Sequence, residues 1–198
     1  MQNEQFEIGI DEAGRGPLAG PVSVGIVLTK KDFDFGIFPH LADSKKMTEK
    51  RREAVVDMLK EVEKNSSDIA TRIIFSSAKI IDSNGITDAI QIAINKGLEQ
   101  LNPDPTVTNL FLDGGLKAPD RYTKQKTIVG GDGRLPIISL ASVIAKVARD
   151  NLMKQHDTEY PYYNFSQHKG YGTKKHRKAI KSHGTSKIHR RTFLRNIL

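Results

Sequence analysis

Phe6, Ile8 and Ile10 alternate with polar or small residues as far as Asp11. That alternation is cut short by Ala13-Gly14-Arg15-Gly16-Pro17 before Pro21 to Thr29 (PVSVGIVLT) resumes as a β-branched run. A period of two marks a strand with one buried face. Glycines and a proline this close together cannot prolong it, so the chain must turn at once and the two runs pair as sheet neighbours. The rest of the chain has to pack around that pair. Thr48 can cap a helix with Glu49 in its first turn, and Val55, Met58, Leu59 and Val62 recur at helical spacing. Arg72 to Ser76 (RIIFS) reads as a third strand, Ile86 to Leu101 as a helix, Asn109 to Asp113 (NLFLD) as a fourth strand and Thr127 to Val129 as a short fifth. A strand pair followed by alternating helices and strands predicts an α/β fold, a mixed central sheet with helices on both faces.

Ser139 to Gln155 is the best-defined helix. Leu140, Val143, Ile144, Val147, Ala148 and Leu152 fill one side, which puts Ser139, Ser142, Lys146 and Arg149 on the other. After His156 the composition shifts to Tyr, His, Gly and Lys, with a cappable helix from Thr173 to His183 and a last basic segment from Ser186. The expected organisation is a main domain over residues 1–155 and a small helical C-terminal subdomain over 156–198 packed on it.

Charge is distributed unevenly. Glu159 is the last acidic residue, and the ten Lys/Arg after it account for more than the net +8, because 21 basic and 23 acidic residues share the first 159 positions. With Tyr162, Tyr163, Phe165, Tyr171 and Phe193 interleaved, this basic stretch reads either as a surface that follows a phosphate backbone or as a solvated tail. There is no cysteine, which rules out disulfides and thiolate metal sites. Met1 to Phe6 lacks the pattern of a signal peptide, and no apolar run approaches the ~20 residues of a membrane helix. The expectation is a cytoplasmic monomer without membrane contact.

Carboxylates follow three of the predicted strands: Asp11 and Glu12 after the first, Asp113 after the fourth, Asp132 after the fifth. Ligands of α/β sheets gather where strands stop, so these four can converge from distant segments. Adjacent strand residues point to opposite faces, so Asp11 and Glu12 can share a site only if the chain bends between or just beyond them, and Gly14 and Gly16 allow that. Clustered acids repel unless a cation sits among them. Oxygen donors without cysteine favour Mg²⁺ or Mn²⁺, and two such ions roughly 3.5–4 Å apart suit phosphodiester hydrolysis with no protein nucleophile. A lone Asp is more often a surface charge or a cap, and Asp43, Asp120 and Asp150 read that way. Gly14-Arg15-Gly16 is either a turn or a backbone edge able to touch a sugar, with Arg15 as a phosphate fork. Lys45 and Lys46 are either a solvated pair or phosphate contacts.

The run Ile8-Gly-Ile-Asp-Glu-Ala-Gly-Arg-Gly-Pro-Leu-Ala-Gly-Pro21 resembles the opening signature of ribonuclease HII. Asp43-Ser-Lys-Lys46, Ser139 to Asp150 (SLASVIAKVARD), His168-Lys-Gly-Tyr-Gly-Thr173 and His189-Arg-Arg-Thr-Phe193 agree with it in order and spacing, nearest the bacterial enzymes. The resemblance implies a ribonuclease H-like fold and a two-metal site at Asp11, Glu12, Asp113 and Asp132. It implies that Gly14, Arg15 and Gly16 read a ribose 2′-OH at an RNA-to-DNA junction, with Tyr171 against the neighbouring deoxyribose. Lys45, Lys46, Lys146, Ser139 and Ser142 would be further contacts to RNA–DNA hybrid or ribonucleotide-containing duplex DNA. The implied reaction is cutting 5′ of a ribonucleotide to leave a 5′-phosphate, in repair and replication. A non-catalytic hybrid binder and a DNA-only nuclease of the same fold are the rival readings. Two positions depart from the pattern: Gly130-Gly131 where many relatives carry Lys-Gly, expected to remove a phosphate contact, and Leu140 in place of Ala, expected to alter packing. Neither is expected to touch a carboxylate.

Overall fold

The computed structural model describes residues 5–38, 41 and 47–195. Five strands form one sheet in the order β3-β2-β1-β4-β5, with β1 Phe6–Ala13, β2 Val22–Lys30, β3 Ile69–Ser76, β4 Thr108–Asp113 and β5 Gln125–Ile128. The first three run antiparallel, while β4 and β5 lie parallel to β1 and to each other, respectively. This is the mixed sheet the sequence predicts. β3 begins three residues earlier than its apolar run suggests, because Ile69 to Thr71 still pair with β2.

One sheet face meets α3 (Ile86–Leu101), with α2 (Ala78–Asn84), unannounced by the sequence pattern, leading into it. Ile8 and Ile10 of β1, Val24 and Ile26 of β2, and Leu110 and Leu112 of β4 form a core there with Ile90, Ile94 and Leu98. The other face meets α4 (Pro136–Glu159), and α1 (Glu49–Asn65) packs against α4. Here two strand glycines decide the geometry. A Cβ on Gly9 would lie 2.4 Å from the Ile137 carbonyl oxygen, and one on Gly25 2.2 Å from that of Ala141. Only glycine lets helix backbone approach strand backbone so closely. α4 therefore lies directly on β1 and β2.

α4 starts three residues before the predicted point, with Pro136 in its first turn. Its polar face is narrower than the periodicity suggests: Ser139 and Arg149 are buried, as is Asp150, which pairs with Lys146 at 2.7 Å. Asp150 is thus a buried ion-pair partner and not a surface charge. Beyond α4, α5 (Phe165–His168) and α6 (Lys174–His183, capped by Thr173) close a third core in which Tyr163, Phe165, Ile180 and Leu194 pack with Leu18, Ala19 and Met153. The basic C-terminal stretch is not uniformly solvated, for His189 and Arg190 are buried. No helix among the described residues is long and apolar enough to cross a membrane.

Candidate active site

A cleft of about 480 Å³ opens at the ends of β1 and β4 and is lined by Asp11, Glu12, Asp113 and Asp132 together. Strand register explains the first meeting. Ile10 pairs with Leu112 in the parallel β1–β4 ladder, so Asp11 and Asp113 follow one step later on neighbouring strands. Both point to the α4 face, as Gly9 and Phe111 do two residues before them. Asp132 arrives on a 3-10 turn, Gly131–Gly133, between β5 and α4. The Ser139 hydroxyl donates to the Asp132 carbonyl, which ties that turn to the helix. Ser139 is therefore committed inside the protein and not offered to a ligand, and it does not line the cleft. The Gly131 N–H donates to Asp113 Oδ1 at 2.6 Å, a contact from the glycine that the relatives' Lys-Gly pair also carries and not from the departing Gly130. Leu140 is buried in the α4-side core.

Glu12 stands one residue on, paired with Val24, at the divide between this cleft and a second one of about 580 Å³ on the α3 side that Arg15, Gln91 and Lys117 also line. The bend falls just beyond the two acids, at Gly14, whose φ is 93°. A Cβ there would lie 2.0 Å from Arg149 Nε. Gly16 has open space around it and no positive φ, so only the first glycine of the pair is sterically required. Arg15 donates from Nε to Glu12 Oε1 at 2.9 Å.

The electrostatics of this cluster call for a cation. Burial, then the charges of Glu12 and Asp113, push the Asp11 carboxyl up to about 8, against the opposing hydrogen bond from Ser142. Among the described residues no three acidic or histidine side chains are drawn into a closed metal-ligand set. The acids share the cleft while Asp11 accepts the Glu12 N–H, Glu12 is turned to Arg15 and Asp113 to Gly131. All-oxygen donors, one of them a carboxyl whose charged form is disfavoured by burial and by its acidic neighbours until a cation offsets them, fit a hard divalent ion.

Gly14, Arg15, Gly16, Ser142, Lys146 and Tyr171 line the same cleft, so these sequence candidates gather with the carboxylates. Lys45, Lys46 and Asp43 lie outside the described residues. Arg52 of α1 also lines the cleft, half-buried with its Nη1 donating to the Met47 carbonyl, a residue that sequence reasoning missed because nothing in the local pattern singles it out from the other charged residues of α1. Arg149 was missed for a different reason. It continues the row Ala141, Ala145 at intervals of four, the small-residue side of α4 that meets the sheet, and that row was the available signal. Its Nε donates to the Pro21 carbonyl at 2.8 Å, its Nη2 reaches the Ala19 carbonyl at 3.2 Å, and the guanidinium lies 5.9 Å from the centroid of the Tyr171 ring.

A family model described as ribonuclease HII matches residues 8–196. The chain is 43% identical over 185 residues to the ribonuclease HII of Endomicrobium trichonymphae, covering 93% of this chain and 83% of that protein. It is 42% identical over 190 residues to the ribonuclease HII of Acetivibrio thermocellus, covering 96% and 70%. Among solved structures, the ribonuclease H2 of Pyrococcus horikoshii is similar with a TM-score of 0.73 at 23% identity, covering 97% of this chain and 96% of that one. Bst-RNase HIII in complex with Mn²⁺ is similar with a TM-score of 0.66 at 13% identity, covering 91% and 63%. At such identities the structural likeness establishes the fold, which is ribonuclease H-like.

Proposed function

The chain belongs to the ribonuclease HII family of endoribonucleases, and from that premise we propose that it hydrolyses the phosphodiester on the 5′ side of a ribonucleotide, both in RNA–DNA hybrids and in DNA carrying a single embedded ribonucleotide. The observation that carries this reading is the gathering of Asp11, Glu12, Asp113 and Asp132 in one cleft whose rim holds Gly14, Arg15, Gly16 and Tyr171. The four carboxylates would hold two Mg²⁺ or Mn²⁺ ions, which supply activation of a water and stabilisation of the departing O3′. Overall, the water's oxygen bonds to phosphorus, the P–O3′ bond breaks, one proton ends on O3′, and the products are a 3′-hydroxyl and a 5′-phosphate.

The chain's own residues orient the substrate. Lys146, at the cleft and charged beside Asp150, would meet a phosphate, and Arg15 would exchange Glu12 for one. The 2′-hydroxyl distinguishes the two sugars and lies in the shallow groove of the hybrid, so a backbone turn that approaches closely can read it. Tyr171, 44% exposed at the rim, would abut the following deoxyribose. Removal of misincorporated ribonucleotides and RNA primers is the corresponding role. The test is incubation with Mg²⁺ or Mn²⁺ of three duplexes: one with a single ribonucleotide, an RNA–DNA hybrid and all-DNA. Cutting of the first two alone supports the reading. Retention without cleavage would favour a binding module, and equal cutting of all-DNA a nuclease indifferent to the sugar.

A further inference from the structure

The two elements proposed to read the sugars are held in place by residues far from them in sequence. Arg190 is fully buried, and each branch of its guanidinium donates to a carbonyl of the first loop: Nη2 to Gly14 at 2.7 Å, Nη1 to Arg15 at 2.9 Å and Nε to Gly20 at 2.9 Å. Arg190 is extended, so the side chain before it projects to the other side. That side chain is His189. Its Nε2 lies 3.0 Å from His176 Nε2, and His176 Nδ1 lies 2.9 Å from the Tyr171 carbonyl.

Only one pair of neutral tautomers satisfies this line. A carbonyl can only accept, so His176 carries its proton on Nδ1 and accepts at Nε2. His189 must then donate from Nε2, which leaves its Nδ1 to accept the Ser186 N–H at 2.9 Å. Burial pushes both imidazoles down to about 4, so both are neutral at pH 7 as the line requires. His168 stacks on His176 at 4.4 Å, and the rings of Tyr163 and Phe165 close in on both imidazoles. The segment itself is fastened to the first loop, with Gly20 N–H donating to the Ile188 carbonyl and Arg190 N–H to that of Leu18, each at 2.8 Å.

We propose that the adjacent residues His189 and Arg190 form a two-pronged positioning clamp that fixes the Gly14–Gly16 turn and Tyr171 at one spacing, and so sets how sharply the enzyme distinguishes a ribonucleotide followed by a deoxyribonucleotide from a continuous run of RNA. The clamp rests on the roles given above to the turn and to Tyr171. Both sensors must engage at once at a junction, whereas inside an RNA run each step offers a ribose and none offers a deoxyribose. Loosening the clamp therefore lowers activity at the junction more than activity on RNA.

The experiment compares kcat/KM on a duplex with one embedded ribonucleotide and on an RNA–DNA hybrid. Arg190→Lys, which keeps the charge and loses the fork, and His189→Ala each lower that ratio at least tenfold. His189→Gln, whose amide N–H can reach His176, restores much of it. In a Tyr171→Ala background His189→Ala moves the ratio no further, as expected when one residue acts through the other. Equal losses on both substrates, or losses that add to that of Tyr171→Ala, overturn the clamp. A wild-type protein that cuts neither substrate overturns the functional reading beneath it as well. Should a variant not fold, ¹⁵N spectra of the wild-type imidazoles decide: protons on His176 Nδ1 and His189 Nε2 support the clamp, and the reverse tautomers or charged rings overturn it.

Discussion

The floor of the cleft and its rim are built on different principles. The floor is sheet: Asp11 and Asp113 sit one step past a paired residue on adjacent strands, and glycines at 9 and 25 bring α4 down on the same face. Its side chains are placed by backbone regularity. The rim is loop, and its backbone is fixed by buried polar side chains that arrive from the far end of the chain, Arg149, Arg190 and the His189–His176 pair. Regular structure can hold acids against their mutual repulsion, because ladder hydrogen bonds do not depend on the charge state of the side chains. A loop has no ladder, and its carbonyls need donors brought to them. Arg190 meets three such carbonyls while lying fully buried, and burial with the neighbouring Arg149 charge pushes it down to about 9, still cationic at neutral pH.

The largest way to separate floor from rim is Asp11→Asn. Turnover should fall by on the order of 10³ or more, the several kcal/mol of charge stabilisation assigned to a metal site, while duplex affinity measured by anisotropy stays within about threefold. Comparable losses in both would mean that floor and rim are not separable. Gly25→Ala attacks the floor by packing alone. Its new methyl meets helix backbone, which cannot rotate away, so destabilisation of about 3 kcal/mol or more is expected in urea melts. A cost below 1 kcal/mol would show that α4 is not seated on the strands as described.

Acid attacks the rim. His176 and His189 have a pKa of about 4 when folded against 6.5 as the ordinary value, so the unfolded chain takes up their protons first as pH falls. Their contribution is complete above about pH 6.5 and is lost on the way down through 4, at roughly 2–3 kcal/mol for each imidazole. Asp11, shifted upward, contributes with the opposite sign, and the Asp11→Asn background removes it. Hydrogen exchange in that background should show the amides of Gly170, Tyr171 and Thr173 losing protection between pH 7 and pH 5 before those of Ile8 and Ile10. Loss in the reverse order would remove the distinction. The smallest effect is expected for Ser186→Ala, which deletes the hydroxyl 2.8 Å from His189 Nδ1 but keeps the backbone N–H on the same atom. About 1 kcal/mol or less is expected by thermal melt, and a larger loss would make the hydroxyl, not the N–H, the anchor of the line.

The same division governs how far the chain could be read from its residues. Alternation in Phe6 to Asp11, the β-branched run after Pro21 and the helical period of Ile86 to Leu101 gave the sheet and α3, because period and fold are linked by local geometry. The acids at strand ends were legible for the same reason. Ser139 and Arg149 were misplaced on a polar face because periodicity records residue type, and a buried Arg with carbonyl partners looks like an exposed one. The glycines at 9 and 25 carried a signal, close approach of another backbone, that only the position of α4 makes specific. Arg190 lies about 175 residues from the carbonyls it holds, and nothing local to either end reports such a contact.

Anomalous diffraction from crystals soaked in Mn²⁺ tests the central claim most directly. The account predicts manganese among the carboxylates of Asp11, Glu12, Asp113 and Asp132, with Glu12 released from Arg15 to reach it. Manganese bound elsewhere, or an unchanged Glu12–Arg15 pair beside an empty cluster at saturating metal, would contradict it.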